Sequence, residues 1–372
     1  MAKSCGATQP GADRFSYPLP WLERAQIERL FSGGSEAEAV LLIQQIQRLS
    51  GPATAVVYCE AARDLGYGGT GLRLTEAIAR AGTGELLRAR ALAEEILSAS
   101  PGNLSALHLL AHISVASGDP TTGCDLFGRV VAECPEFPGA QAALAGLALP
   151  GPHYREVLAR LHALLCPETY LEIGVETGVT LALAAECRIA VGVDPDPGAL
   201  EVRLPSCART HAMTSDAFFA AETRESAFGG RPVDLTFIDG LHWFEQALRD
   251  FVGAERLSAK ESTIVLHDCL PVTDVSAERE RRSTFWVGDT WKALECLLDA
   301  RPDLRVRVVP AWPSGLVVVR NLDPRSTVLP RDMDVLVARY RDREEVHRPG
   351  KWPARYGIVS NDEAGLREAI GS

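Results

Sequence analysis

Short apolar runs alternate with longer helical stretches in the second half of the chain. The apolar runs are rich in Val, Ile and Leu, and they predict strands at 170–174, 189–194, 210–214, 233–239, 263–268, 304–309 and 315–320. Helices are predicted between the first five strands, and strands that alternate with helices form parallel sheets. A short Pro-Ala-Trp-Pro-Ser segment joins the last two strands, which indicates a hairpin. The pattern therefore predicts an α/β fold with five parallel strands and a closing hairpin.

The first half of the chain is helical, and part of it repeats. Pro101 closes one helical segment, and Pro135 closes another one 34 residues later. Gly118 supplies the turn between two helices within this period. The period, the turn and the terminal proline resemble a short tetratricopeptide-type (TPR-like) solenoid of two to three units; the alternative is a plain helical bundle with an accidental period. The resemblance implies a peptide-binding groove, but a short array serves equally to dimerise the chain or to cap the next domain.

Composition divides the chain into four predicted parts. Residues 1–20 contain turn formers and no apolar run, which predicts a flexible leader rather than a signal peptide. Residues 21–149 form the all-α TPR-like domain, and a Pro-Gly-Pro linker follows. Residues 154–322 contain the strands, and 323–372 form a C-terminal extension to which the sequence assigns no role.

Charge and cysteine content narrow the class of protein. The net charge of −11 argues against a general electrostatic grip on nucleic acid. The sequence has no run of eighteen apolar residues, so it predicts no membrane span. Nine cysteines are scattered without a Cys-x-x-Cys pair, which indicates reduced thiols in a cytoplasmic protein.

The first predicted strand opens into a glycine turn that is typical of a nucleotide site. Glu172 precedes Gly174, Gly178 follows four residues later, and the second strand ends on Asp194. A dinucleotide fingerprint places its glycines closer together and leaves the backbone bare over a pyrophosphate. An acid at 172 would repel that group but would suit a cationic or zwitterionic ligand. The alternative is an ordinary crossover whose glycines only serve turns.

This Glu-x-Gly-x-x-x-Gly pattern with Asp194 resembles motifs I and II of class I S-adenosylmethionine (SAM) methyltransferases. The resemblance implies a Rossmann-like seven-stranded sheet and SAM as cofactor. It implies that Asp194 binds the ribose hydroxyls and that Gly174 makes room for the methionine portion. Glu172 would orient the turn or meet the amino group through water. Ser215 and Asp216 follow strand three, where the family places an acid against the adenine; Asp216 equally suits a helix N-cap.

Strand four continues into Asp239-Gly-Leu-His242, ahead of a predicted helix. This stretch resembles the metal-dependent small-molecule O-methyltransferases, among them the macrocin-type sugar O-methyltransferases. The resemblance implies that Asp239 binds a divalent metal and that His242 is the general base. A bound metal lowers the pKa of a hydroxyl, and a histidine can then accept its proton. The alternative is that His242 is a structural residue at a helix start.

Strand five ends on His267 and Asp268, where the metal-dependent family often has two acids. Magnesium prefers oxygen ligands, so an imidazole beside Asp239 and Asp268 favours manganese, iron or zinc, or a site without metal. Without metal, His242 or His267, oriented by Asp268, is the predicted base. Because successive strand residues face opposite ways, His267 is alternatively a buried, satisfied histidine.

A polar stretch at 272–290 follows strand five and is predicted to overhang the acceptor pocket. Trp243, Trp286 and Trp291 are candidates for its wall, and Arg281 or Arg282 for contact with an anionic acceptor. The charged run at 278–282 is otherwise a solvated loop. Gly288-Asp289-Thr-Trp-Lys resembles a motif of this O-methyltransferase branch, and Asp289 also suits a helix N-cap.

The sequence therefore predicts an enzyme, a SAM-dependent O-methyltransferase, and the resemblance implies a sugar or natural product as the acceptor. One alternative is a peptide or protein methyltransferase that captures its substrate through the TPR-like domain. Another is a non-catalytic binding protein with a nucleotide-sensing domain. The predicted partners are a small-molecule acceptor or a peptide, with no nucleic acid and no membrane, and homo-oligomerisation stays open.

Overall fold

A computed structural model describes residues 24–198, 200–347 and 351–371, so the predicted leader lies outside the described residues. The chain divides into two compact units, 1–130 and 131–372. This division precedes the predicted linker because Ala145, on the helix before that linker, and Leu149, directly after that helix, belong to the hydrophobic core of the second unit.

The described part of the first unit is built from helices of two to four turns. They are α1 (Arg24–Phe31), α2 (Glu36–Ser50), α3 (Pro52–Asp64), α4 (Thr70–Gly82), α5 (Leu86–Ala99), α6 (Leu104–Ala116) and α7 (Pro120–Glu133), the last of which crosses the division. Small side chains, among them Ala77, Ala89 and Ala93, are fully buried between them and allow close packing.

The helix starts recur with the period seen in the sequence. The helices α2, α4 and α6 begin at 36, 70 and 104, and α3, α5 and α7 begin at 52, 86 and 120, each 34 residues after the one before. Gly84 and Gly118 adopt left-handed φ values of 84° and 85° at equivalent turns. The two-helix unit is therefore regular, and its identity as a tetratricopeptide repeat stays a prediction.

The second unit contains one seven-stranded sheet. Its strands are β1 (Thr169–Ile173), β2 (Ile189–Asp194), β3 (Ala208–Ala212), β4 (Val233–Ile238), β5 (Ser258–His267), β6 (Arg305–Val309) and β7 (Leu316–Arg320). The order is β3-β2-β1-β4-β5-β7-β6, with β1 to β5 parallel and β7 antiparallel to both of its neighbours. The predicted hairpin and the Rossmann-like methyltransferase fold class are confirmed.

Helices cover both faces of this sheet. They are α8 (Ala140–Ala148), α9 (Tyr154–Leu165), α10 (Ser215–Ala221), α11 (Arg224–Phe228), α12 (Phe244–Leu257), α13 (Trp291–Ala300), α14 (Val328–Arg341) and α15 (Glu363–Ile370). Leu171 faces a core built with α12 and α13, whereas its neighbour Tyr170 faces a core built with α9 and α15. The predicted C-terminal extension therefore contributes α14 and α15 to these two layers.

Two of the predicted connecting helices are absent from the described residues. The segment between β1 and β2 forms only a 3-10 turn, Leu181–Glu186, and the described residues between β2 and β3 contain no helix. Pro195, Pro197 and Pro205 explain the second case, because proline cannot donate the hydrogen bonds of a helix interior. No helix in the described ranges is long and apolar enough to cross a membrane.

Candidate active site

The carboxyl ends of the parallel strands surround a cavity of about 740 Å³. In an open α/β sheet, ligands bind beyond these strand ends. The predicted site residues that line the cavity are Gly174, Asp194, Ser215, Asp239, His242, His267 and Asp268. Glu172, Gly178 and Asp216 are not among the lining residues, and their predicted contacts with the cofactor stay predictions.

Gly174 brings the ends of β1 and β4 together. Its φ is 88°, and a Cβ there would collide with the carbonyl oxygen of Asp239. Gly178 also has a left-handed φ of 78°, but its missing Cβ makes room for Leu200 rather than for the cavity. Both glycines shape the loop, and only the first borders the cavity.

Asp194 holds the glycine loop through its carboxylate. The backbone N–H groups of Val175 and Glu176 donate to Oδ2 over 2.9 and 3.0 Å, and the N–H of Asp196 donates to Oδ1 over 2.8 Å. A carboxylate oxygen accepts more than one hydrogen bond. Asp194 therefore retains acceptor capacity toward the cavity, as a ribose contact requires.

Glu172 lies beneath the loop and is fully buried. The hydroxyl groups of Tyr170 and Thr180 donate to its two oxygens over 2.6 and 2.9 Å. Burial raises the pKa of Glu172 to about 8, although these hydrogen bonds lower it in part. Thr180 lines the cavity, and its hydroxyl is held by Glu172. This geometry agrees with the alternative in which Glu172 orients the turn.

The far end of the cavity is formed by the start of α10. Thr214, rather than Asp216, caps this helix, with its hydroxyl accepting from the N–H of Ala217 over 3.3 Å. Asp216 is exposed and instead accepts from Arg249 and Gln246. The cavity is bordered here by Thr214, Ser215 and Gln246.

Sequence reasoning missed Thr214 and Gln246. Gln246 Nε2 donates to Ser215 Oγ over 3.1 Å and to Asp250 Oδ1 over 2.9 Å. The only sign of Gln246 in the sequence is an amide seven residues beyond Asp239. This amide suggests a site residue only once the first turn of α12 is known to face α10.

Asp239, His242 and Asp268 converge at the reactive end. One ligand atom from each lies within 4.8 Å of the other two, a spacing that suits a shared metal ion. His242 Nε2 lies 3.0 Å from Asp268 Oδ2 and 3.6 Å from Asp239 Oδ1. Asp268 is 5% exposed and has a φ of 60°, which is unfavourable for a residue with a Cβ and is concentrated at functional sites.

The tautomer of His242 follows from its surroundings. Its Nδ1 lies 3.1 Å from the carbonyl oxygen of Trp286, which only accepts, so Nδ1 carries the hydrogen. Nε2 therefore faces the two carboxylates. Burial lowers the pKa of His242, but Asp268 and Asp239 outweigh burial and raise this pKa to about 9.

Both ring nitrogens of His267 also have partners. Nδ1 lies 3.0 Å from Asp239 Oδ1, and Nε2 lies 3.1 Å from Ser314 Oγ. The ring is 6% exposed and lies against Tyr154, with the ring centres 4.0 Å apart. This geometry agrees with the alternative of a buried, satisfied histidine, while its edge still borders the cavity.

The polar stretch after β5 lies over the reactive end. Trp286 stacks on His242 with ring centres 5.1 Å apart, and Arg281 lines the cavity. Arg282 pairs instead with Glu278. Trp243 lies half-exposed under Arg279, and Trp291 is buried; neither lines the cavity.

The charged run at 278–282 is more than a solvated loop. Arg279 bridges Glu245 and Asp289, which ties the run to α12. Asp289 does cap a helix, but that helix is α12: its Oδ1 accepts from the N–H of Phe244 over 2.8 Å. The loop is therefore fastened to the same helix that carries Gln246.

Part of the chain matches a known protein family. Residues 171–269, from β1 to the turn after β5, match a family model described as a methyltransferase domain. A cofactor-bound protein from MTB is 18% identical over 51% of this chain and 93% of its own, with a TM-score of 0.37. No curated protein matches the chain.

Two O-methyltransferase structures are similarly distant. One from Bacillus cereus, in complex with SAH, is 16% identical over 52% of this chain and 95% of its own, with a TM-score of 0.34. TomG from Streptomyces achromogenes, involved in tomaymycin synthesis and in complex with SAM, is 15% identical over 53% and 96%, with a TM-score of 0.36. Similarities this distant carry no argument about substrate or mechanism.

Proposed function

We propose that this chain is a SAM-dependent methyltransferase that methylates a hydroxyl group of a small molecule, a sugar or natural product. The observation that carries the proposal is that one cavity joins the glycine loop and Asp194 to the cluster of Asp239, His242 and Asp268. The match of 171–269 to a methyltransferase domain supports the reaction class.

The residues around the glycine loop fit SAM. When bound, SAM supplies a methyl group activated by its sulfonium charge. Asp194 and Gly174 border the cavity, and in this proposal Asp194 would accept from a ribose hydroxyl while Gly174 would lie beside the methionine portion. Thr214, Ser215 and Gln246 provide polar atoms for the adenine end.

The reactive end fits a divalent metal. Asp239 and Asp268 offer carboxylate oxygens, and His242 Nε2 lies within reach of both. With His242 kept as the proposed base, the metal ligands are the two carboxylates, and carboxylate oxygens suit magnesium or manganese. A metal held there would lower the pKa of the acceptor hydroxyl.

The two carboxylates also control His242 as the proposed base. With its pKa raised to about 9, the imidazole holds a second proton at neutral pH and cannot accept the one from the acceptor. A cation on Asp239 and Asp268 would neutralise the charge that raises this pKa. Metal binding and proton acceptance by His242 are therefore coupled in this proposal.

Calorimetric titration with SAM, with and without EDTA, tests the cofactor site. The wild type should bind SAM at micromolar concentration, and Asp194→Ala should lose that binding. Asp196→Ala is the matched control, since Asp196 is exposed and only its backbone N–H meets the carboxylate of Asp194. A wild type that does not bind SAM would contradict the proposed activity.

An acceptor screen separates this proposal from the peptide alternative. Radiolabelled SAM would be incubated with hydroxylated sugars and natural products in one series and with peptide pools in the other. Transfer to small molecules supports the proposal, and transfer only to peptides would favour substrate capture by the helical first unit, whose 34-residue period keeps that alternative open.

A further inference from the structure

His267 connects two residues that lie far apart in the sequence. Its Nδ1 lies 3.0 Å from Oδ1 of Asp239, at the end of β4, and its Nε2 lies 3.1 Å from Oγ of Ser314, in the turn between β6 and β7. His267 is 6% exposed and Ser314 is 1% exposed. The three side chains therefore form a hydrogen-bonded row along the wall of the cavity.

The direction of the first hydrogen bond is determined by Asp239. A carboxylate oxygen only accepts hydrogen bonds, and Oδ1 of Asp239 lies 3.0 Å from Nδ1 of His267. His267 Nδ1 must therefore carry the hydrogen, and Ser314 is the partner of the opposite nitrogen.

The surroundings hold this row in place. Tyr154 covers one face of the His267 ring, with centres 4.0 Å apart. The carbonyl of Ser314 accepts from the N–H of Leu270 over 2.8 Å, and a Cβ on Gly315 would collide with Leu270. Neither the ring nor the serine can move without disturbing the turn.

We propose that His267 and Ser314 are positioning residues that orient the carboxylate of Asp239, and that His267 is neither the base nor a metal ligand. This inference rests on the proposed metal and acceptor site. Oδ1 of Asp239 lies 3.0 Å from His267 Nδ1 and 3.6 Å from His242 Nε2, so the contact with His267 fixes how this carboxylate faces the cluster. When a group that orients a metal ligand in this way is replaced, metal affinity commonly falls about 10–100-fold.

Two amide substitutions test the geometry. In His267→Asn the amide nitrogen takes the place of Nδ1 and still donates to Asp239, whereas in His267→Gln it takes the place of Nε2 and reaches Ser314 instead. Binding of Mn²⁺ alone to the EDTA-stripped protein should stay within about threefold of wild type for His267→Asn and fall about 10–100-fold for His267→Gln. If His267 only filled space, His267→Gln should retain more Mn²⁺ affinity than His267→Asn, because glutamine is the longer side chain.

Ser314→Ala tests the second step of the row. It should weaken Mn²⁺ binding less than His267→Gln does, by up to about tenfold. Ser258→Ala is the matched control, since Ser258 is also fully buried and its Oγ donates to the carbonyl of Ala254 over 2.8 Å. SAM binding by every variant verifies folding.

The outcomes separate this inference from the proposed function. Equal loss of Mn²⁺ affinity in His267→Asn and His267→Gln would overturn the positioning role. Unchanged Mn²⁺ affinity with lost turnover in both would identify His267 as the base. If the wild type binds no Mn²⁺, the proposed metal fails. A ¹⁵N-histidine spectrum of the metal-free protein then decides the inference, which predicts a hydrogen on Nδ1 of His267 and is overturned by a bare Nδ1.

Discussion

His242 Nε2 lies 3.0 Å from Asp268 Oδ2, while its Nδ1–H points to the carbonyl oxygen of Trp286. The ring is thereby fixed with one nitrogen toward the overhanging loop and the other toward the carboxylates. Trp286 also stacks on the imidazole, so the overhanging loop holds His242, the proposed base, in place. Changes to His242 should therefore affect the chemical step more than the binding of SAM.

Replacing His242 by alanine should lower kcat about 10²–10⁴-fold, which is the usual contribution of a positioned general base. SAM affinity should stay near that of the wild type, because the glycine loop and Asp194 are untouched. Single-turnover kinetics and calorimetry measure the two quantities. His211→Ala is the control, since that ring packs on Phe218 away from the cavity. Unchanged turnover in His242→Ala would remove it as the base.

Metal removal should suppress turnover in a pH-dependent way. Without a cation, the pKa of His242 stays at about 9, so the fraction able to accept a proton is small at pH 7 and grows toward pH 10. Turnover in EDTA should therefore rise with a midpoint near pH 9, and added Mn²⁺ should move that midpoint down. A profile that EDTA leaves unchanged would argue for catalysis without metal.

The ends of four of the parallel strands follow from the sequence, because their predicted runs stop at Gly174, Asp194, Asp239 and Asp268. This rule is enough to bring Asp194, Asp239 and Asp268 to one edge of a parallel sheet. It also predicts the hairpin, since five residues cannot form a crossover. The glycine pattern alone does not reveal that Glu172 points below the loop, because that depends on which face of β1 each side chain occupies.

Other parts of the site depend on contacts that no local pattern marks. Ser314 meets His267 across 47 positions of sequence, and only the register of β5 with β7 brings them together. Asp289 precedes α13, yet it caps α12, because the loop folds back over the site. Asp216 has a suitable position in the chain, but its carboxylate accepts from Arg249 and Gln246, and it is not among the residues that line the cavity.

Gly288→Ala should disturb the site, because Gly288 has a φ of 61° and a Cβ there would collide with the carbonyl oxygen of His242. Gly229 is the matched control, with a φ of 58° and nothing within 4 Å of the added atom. Gly229→Ala should cost about 1–2 kcal/mol of unfolding free energy for the left-handed backbone and leave kcat unchanged. Gly288→Ala should cost more and lower kcat; equal effects of the two would contradict the close approach.

Glu172→Gln should change how stability depends on pH. The pKa of Glu172 is about 8 in the folded protein and near its ordinary value of 4.5 in the unfolded chain. Between these values the folded state binds more protons, so the wild type loses stability as pH rises from 4.5 to 8, and it has no such cost below 4.5. Glutamine keeps the shape without the titration. The stability of Glu172→Gln relative to wild type should therefore grow by a few kcal/mol between pH 5 and pH 8.5.

Denaturant unfolding at both pH values measures this change in relative stability. Glu176→Gln, at an exposed position of the same loop, controls for the loss of one carboxyl group. A difference that stays constant with pH would mean that Glu172 titrates normally and that water reaches it beneath the loop.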